Sequence, residues 1–215
     1  MVTAIIPAAG SGLRFGAKEN KAFYPLKDKP LLLWPLQTLE TLEEIVDIIL
    51  VVRSEDIAKT FELVDKYEIK KAKKIITGGK ERQDSVFNGL KSIEKNTKFV
   101  LIHDGVRPFI DSELIKSMIS HMLQHQSVID GIVTGVPVKD TIKIVEGRVL
   151  SDISNGLFVK ETLKRDLLWA IHTPQVFLTD KILRAYEKAL KDNLYCTDDS
   201  ALLENYGGKI KLLLG

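Results

Sequence analysis

A single thiol, Cys196, is all the cysteine in this 215-residue chain. One cysteine can form neither an intramolecular disulfide nor a multi-thiolate metal site, so no oxidising compartment is implied and a reducing cytoplasm fits. An excess of one charge is also missing: 31 Lys and Arg face 29 Asp and Glu, a net charge of +2. That balance is too even to grip a polynucleotide by counterion release, so nucleic acid is not an expected partner and any phosphate chemistry must be local. Long apolar runs are absent as well. The opening Met1-Val2-Thr3-Ala4-Ile5-Ile6-Pro7 is too short for a signal h-region and has no basic segment before it. No other run approaches the roughly 20 apolar residues of a membrane span. The chain is therefore expected to be neither exported nor embedded. Only 7 Pro and 14 Gly occur, against 45% apolar and 28% charged residues, which excludes collagen-like, disordered and coiled-coil classes. What is there suits one globular domain over residues 1–215, long enough to bury roughly 70% of the surface of its unfolded chain.

Short apolar bursts alternate with segments of helical period, the pattern of strands joined by crossover helices. The expected fold is α/β, a Rossmann-like, mostly parallel twisted sheet with helices on both faces. Strands are predicted over residues 2–6, 45–53, 74–77, 99–103 and 131–136, and helices over about 31–42, 54–67, 84–92, 112–124, 179–191 and 197–206. The continuous Ile48-Ile49-Leu50-Val51-Val52 reads as a central strand buried on both faces. Ser54, Ser112 and Thr197 each precede acidic residues and read as capping hydroxyls, while Gly207-Gly208 ends the last helix. Residues 139–166 break the rhythm: Thr141-Ile142-Lys143-Ile144-Val145, a turn at Glu146-Gly147, then Arg148-Val149-Leu150. A hairpin with so little apolar surface is marginal alone. It is either an arm reaching to another subunit or a flap on its own domain.

The first strand runs into Pro7-Ala8-Ala9-Gly10-Ser11-Gly12-Leu13-Arg14-Phe15, with Lys21 in the polar stretch beyond. A glycine-rich turn at the carboxyl end of a first parallel strand lets backbone amides close on phosphate without interference from Cβ atoms. A dinucleotide fingerprint needs glycine at position 15, which is Phe, and no Gly-Lys-Ser or Gly-Lys-Thr completes a Walker loop. Arg14 and Lys21 instead place two cations beside the glycines, as a triphosphate with a pyrophosphate leaving group requires. A plain turn with solvated charges is the competing reading. A second loop, Thr77-Gly78-Gly79-Lys80-Glu81-Arg82-Gln83-Asp84-Ser85, also opens a helix, and Ser85 is placed either to bond a base edge or simply to cap.

Asp104, in His103-Asp104-Gly105-Val106-Arg107-Pro108, ends a buried strand, where a carboxylate can hold Mg²⁺ against nucleotide phosphates. Arg107 can meet a second anion, and His103 reads as a packed group rather than a catalyst. His121 and His125 lie one helical turn apart without the Glu of a zinc-protease helix, so they read as solvated or half-buried. No nucleophile, base and orienter assemble around Cys196 or elsewhere, so covalent catalysis is not indicated.

PAAGSGLRF, GGKERQDSV, IHDGVRPF, PVKDTIK and LWAIHTPQVF, in this order, resemble the bacterial 2-C-methyl-D-erythritol 4-phosphate cytidylyltransferases of the non-mevalonate isoprenoid pathway, from Ala4 to about Leu203. The resemblance implies transfer of CMP from CTP to methylerythritol phosphate by a homodimer that uses Mg²⁺ or another divalent cation. It implies that Ala8, Ala9, Gly10, Gly79, Lys80 and Ser85 read the nucleotide, with Gly12 and Arg82 in the same loops, and that Arg14 and Lys21 stabilise the pentacoordinate phosphorane. Asp104 takes the metal and, with Arg107, approaches the methylerythritol. The arm at about 139–166 lends Thr141 and Arg165 to the neighbour's substrate phosphate, with Thr173 lining the same site. Ribitol-5-phosphate cytidylyltransferases share the glycine loop and the HDxVRPF motif, but usually carry Ala-Gly-Gly at residues 8–10 and lack the Asp-Ser-Val form. An inactive nucleotide-binding homologue is the other alternative. Family members continue past a stretch like Lys209-Ile210-Lys211-Leu212 into an Asn-Ile-Lys-Val-Thr strand and a Pro-Glu-Asp helix, which add a metal aspartate and a phosphate lysine. The sequence in hand stops at Gly215, so those two roles either fall on residues outside it or are absent.

Overall fold

A computed structural model of the chain describes residues 1–10, 20–146 and 157–215. Its strands are β1 (Val2–Pro7), β2 (Pro25–Leu26), β3 (Lys29–Pro30), β4 (Ile45–Val52), β5 (Ala72–Thr77), β6 (Phe99–Ile102), β7 (Gly131–Pro137), β8 (Lys143–Val145), β9 (Val159–Thr162), β10 (Trp169–Leu178) and β11 (Ile210–Leu214). Its helices are α1 (Leu33–Thr41), α2 (Ile57–Lys66), α3 (Arg82–Lys91), α4 (Ser112–His125), α5 (Thr179–Lys191) and α6 (Asp199–Asn205). Seven strands form one sheet in the order β11-β7-β10-β6-β1-β4-β5, with β10 antiparallel to both of its neighbours and the other pairs parallel. The mostly parallel α/β architecture is thus as expected.

Alternation along β1 explains the two layers that cover the sheet. Ala4 and Ile6 point to one face and pack with Leu33, Leu36 and Leu39 of α1 and Ile115, Met118 and Met122 of α4. Ile5 points to the other and packs with Val86 and Leu90 of α3, Ile182 and Tyr186 of α5, and Leu202 of α6. Residues 48–52 of β4 are buried, yet the middle strand is β6, and β4 lies one place in from the β5 edge. That edge carries Lys71, Lys73 and Lys74, and charged side chains on an edge discourage pairing with a second sheet.

Several expectations need correction. β10 was not anticipated: Pro174 and the polar His172-Thr173 obscure a ten-residue strand, and the register with β7 slips between His172 and Gln175 to accommodate them. The cap of α4 is Asp111, whose side chain accepts from the Glu113 amide, and the cap of α6 is Asp198, which accepts from the Ala201 amide. Ser112 and Thr197 are not the caps, because a carboxylate one residue away meets the positive helix end more strongly than a hydroxyl does. Ser54 opens a 3-10 turn and bonds Glu55 instead. Gly207, with φ +83°, lies just past the end of α6, as expected. In the arm, β8 pairs with β9, and the expected Arg148-Val149-Leu150 strand lies outside the described residues.

Candidate active site

Three loops meet at the carboxyl edge of the sheet because small residues let them touch. A Cβ on Gly78, just after β5, would stand 2.5 Å from the Ala9 side chain, and one on Gly105, after β6, 3.1 Å from the Ala8 side chain. The first approach is closer than a Cβ can come without a shift, so it requires glycine, and the second is tight enough that glycine eases it. The turn of residues 8–10, the Gly78-Gly79 loop and the segment of residues 103–108 are thereby pressed into one patch, which contains Ala8, Ala9, Gly79, Arg82, Ser85, Asp104 and Arg107, with Gly10 and Lys80 exposed at its rim. Ser85 is buried and braces the second loop from within, accepting from the Gly79 amide at 3.0 Å and donating to the Glu81 carbonyl at 3.1 Å. The cap of α3 is Glu81, in a reciprocal capping box with Asp84. Gly12 and Arg14 lie outside the described residues.

Charge at this edge is organised around Arg82, on the first turn of α3. Its Nε donates to Asp104 at 2.9 Å, while its two terminal nitrogens fork onto Asp199 at 3.1 and 2.8 Å. Asp199 is fully buried and also accepts from the Tyr186 hydroxyl. Arg107 Nε reaches the other Asp104 oxygen at 3.2 Å. Burial pushes the Asp104 carboxyl up, but the adjacent Arg82 and then Arg107 more than reverse this and hold it below its ordinary range. Burial likewise disfavours the Arg82 cation, and Asp199 and Asp104 outweigh it, so Arg82 stays firmly charged.

Thr173 reaches this edge through the register slip in β10, a device that re-aims side chains. Its hydroxyl accepts from the Asp104 amide at 3.2 Å and lies 3.1 Å from His103 Nδ1. His103 Nε2 lies 3.0 Å from the Arg107 carbonyl. A carbonyl only accepts, so Nε2 carries the proton and Nδ1 accepts from Thr173. Burial lowers the His103 pKa to about 4, against the pull of the Arg107 carbonyl and Asp104. His103 is therefore a neutral strut, in line with its reading as a packed group.

Both Asp104 oxygens accept from guanidinium groups, and among the described residues no group of three or more His, Cys, Asp or Glu could enclose a metal ion. A divalent cation held here would take most of its shell from phosphates and water. His121 and His125 stack on each other and turn their Nδ1 atoms to helix carbonyls, and burial raises the Cys196 thiol. Neither forms a centre. Thr141 and Arg165 are exposed on the arm, and Arg165 donates to the Lys139 carbonyl at 3.2 Å. The structure thus gathers most of the expected residues at one edge and leaves these two on the arm. Sequence reasoning missed Asn20, Asp56, Tyr186 and Asp199. Asp199 was legible only as a first-turn acid, and its burial depends on α5 and α3 lying against it.

A family model described as IspD, 2-C-methyl-D-erythritol 4-phosphate cytidylyltransferase, matches residues 2–215. The chain belongs to this cytidylyltransferase family. It is 44% identical over 217 residues to the 2-C-methyl-D-erythritol 4-phosphate cytidylyltransferase of Clostridioides difficile, covering 100% of this chain and 85% of that protein. To the protein of the same name from Halalkalibacterium halodurans it is 40% identical over 211 residues, covering 98% and 86%. Its backbone resembles the crystal structure of 4-diphosphocytidyl-2C-methyl-D-erythritol synthase from Anaerococcus prevotii, with a TM-score of 0.81, 33% identity and coverage of 100% and 86%.

Proposed function

We propose that the chain transfers CMP from CTP to 2-C-methyl-D-erythritol 4-phosphate, a step of isoprenoid precursor biosynthesis, and that the β1, β5 and β6 loop edge is where it does so. Membership of the IspD family over residues 2–215 carries the reaction. A phosphate oxygen of the methylerythritol phosphate attacks the α-phosphorus of CTP in line. The bond to the β-phosphate breaks, and 4-diphosphocytidyl-2-C-methyl-D-erythritol and pyrophosphate form. The attacking oxygen is already anionic, so positioning and charge neutralisation carry the rate and no general base is needed. Lys21 and Arg14 neutralise charge on the transferring and leaving phosphates. Ala8, Ala9, Gly10, Gly12, Gly79, Lys80, Arg82 and Ser85 hold CTP. Asp104 is the protein ligand for Mg²⁺, which when bound neutralises phosphate charge. Arg107 and Thr173 face the methylerythritol phosphate.

The second half of the proposal is a cytoplasmic homodimer in which each arm brings Thr141 and Arg165 to its partner's site. Its support is the exposure of Phe158 at 82%, Val159 at 57% and Leu167 at 76%, apolar surface in search of a cover. The reaction is tested by incubating the chain with Mg²⁺, CTP and either methylerythritol phosphate or ribitol phosphate and measuring pyrophosphate. Release with methylerythritol phosphate is expected, and release with ribitol phosphate alone rejects the substrate. The dimer is tested by mixing Arg165→Ala with Lys21→Ala subunits at methylerythritol phosphate well below KM, where each variant alone keeps at most about a tenth of wild-type activity. A crossed arm restores about a quarter of wild-type activity, since about half of random dimers are mixed and each holds one good site. A self-folded arm leaves the mixture at the average of the two variants.

A further inference from the structure

β1 ends at Pro7, and past the glycine-rich segment stands Asn20, whose side chain bonds three separate parts of the chain. Asn20 Nδ2 donates to the Ala8 carbonyl and to Asp56 Oδ2, both at 2.8 Å, and Oδ1 accepts from the Ala22 amide at 3.0 Å. Asp56 Oδ2 is held in turn by Arg53 Nε at 2.8 Å, just past the end of β4. Asn20 and Asp56 are 2% and 7% exposed, so this amide and carboxylate sit where apolar packing would otherwise be expected. A buried amide is costly unless its hydrogen bonds are made. Here both amide protons and one oxygen lone pair are spent on three separate segments: the end of β1, the start of α2 and the 3-10 turn Lys21–Phe23. No apolar residue, and no carboxylate, could serve all three at once.

We infer that Asn20 is a positioning residue for Lys21, a clasp that ties the return of the glycine-rich segment to the nucleotide-reading turn at Ala8. The inference rests on the proposed role of Lys21 and adds to it the means by which that ammonium is aimed. Ala8 is itself anchored, since its amide donates to the Val51 carbonyl at 2.7 Å. The clasp therefore refers Lys21 to the same backbone that reads the base. Arg53 and Asp56 extend this reference to the end of β4. Asn20 does not touch substrate in this scheme; it acts through the residue that follows it.

The experiment is a coupling measurement on the full chain, with CTP, methylerythritol phosphate and Mg²⁺, read as pyrophosphate release beside a urea unfolding curve. The variants are Asn20→Ala and the exchange Asn20→Asp with Asp56→Asn, each made alone and combined with Lys21→Ala. The exchange keeps one amide, one carboxylate and the acceptor for Ala22 while removing the donor to Ala8, so it holds the test even where Asn20→Ala does not fold. Because it also breaks the Arg53–Asp56 ion pair, Asp56→Asn alone, which keeps the donor to Ala8, is the control and should leave kcat within about threefold of wild type. The expected result is a fall in kcat of about 30- to 100-fold in the wild-type background, with KM for methylerythritol phosphate unmoved. In the Lys21→Ala background the same change should cost less than about threefold, because the residue it aims is gone. An equal fall in both backgrounds, or unchanged kcat in the folded exchange variant, overturns the inference while leaving the reaction intact. A wild-type chain that releases no pyrophosphate fails the cytidylyltransferase reading itself and takes the inference with it.

Discussion

The loop edge of the sheet and the arm between β7 and β10 are expected to serve one reaction, and they are built in opposite ways. At the edge, several polar side chains are fixed by neighbours from other elements: Arg82 by Asp199 and Asp104, His103 by Thr173, Asn20 by Asp56. On the arm every residue of β9 is exposed, and Arg165 reaches the nearby Lys139 carbonyl. The edge inherits its precision from a sheet buried on both faces, whereas a two-stranded hairpin has no core to lend it any.

The comparison is broken most severely at Asp199. Asp199→Ala leaves the Arg82 guanidinium without its forked partner in a buried setting and is expected to lower stability by about 3–5 kcal/mol in urea unfolding. On the arm, Lys143→Ala removes an exposed bond to Thr162 and is expected to shift stability by less than about 0.5 kcal/mol. Comparable losses at both places would abolish the distinction. Kinetics come next. Lys21→Ala is expected to lower kcat by about 10²–10³-fold with a smaller effect on KM for CTP, and a wild-type kcat would move the charge neutralisation elsewhere.

Acid provides a third contrast through His103. Its imidazole protonates near 6.5 when unfolded and near 4 when folded, so between those values the unfolded chain binds more protons. Stability should hold above pH 6.5 and decline as pH falls towards 4, by about 3 kcal/mol in full, and His103→Asn should flatten that slope in urea titrations at stepped pH. The smallest effect lies on the arm. Arg165→Ala should raise KM for methylerythritol phosphate about tenfold without changing the unfolding midpoint, and Thr141→Ala less, because a guanidinium can grip phosphate with two hydrogen bonds and a hydroxyl with one. A larger effect on KM for CTP would detach the arm from the acceptor side.

Much of this architecture could be read from residue order. The runs in β1, β4 and β6 announce themselves because strands covered on both faces are apolar without alternation. The three loops were recognisable as small residues before helices or after strands. What could not be read was contact across distance. β10 hid behind His172-Thr173-Pro174, whose interruption of the strand pattern is the feature that delivers Thr173 to the edge. Asn20 looked like one more residue of a polar stretch, since its partners lie 12 and 36 positions away. Asp111 and Asp198 were passed over in favour of hydroxyls beside them, a local competition that only the observed backbone decides.

The arm leaves the sheet from Pro137 and rejoins it at Trp169, residues paired with each other, and the Val138 amide bonds the Leu168 carbonyl at 3.0 Å beneath it. It is therefore an overgrown hairpin loop between adjacent antiparallel strands, its two ends already closed by the sheet. Lengthening a closed loop costs only about 0.6 kcal/mol per doubling. Such a segment can be trimmed, extended or exchanged between relatives while the strands on which it is rooted keep their register, so the arm is free to drift at a pace that the catalytic edge does not set.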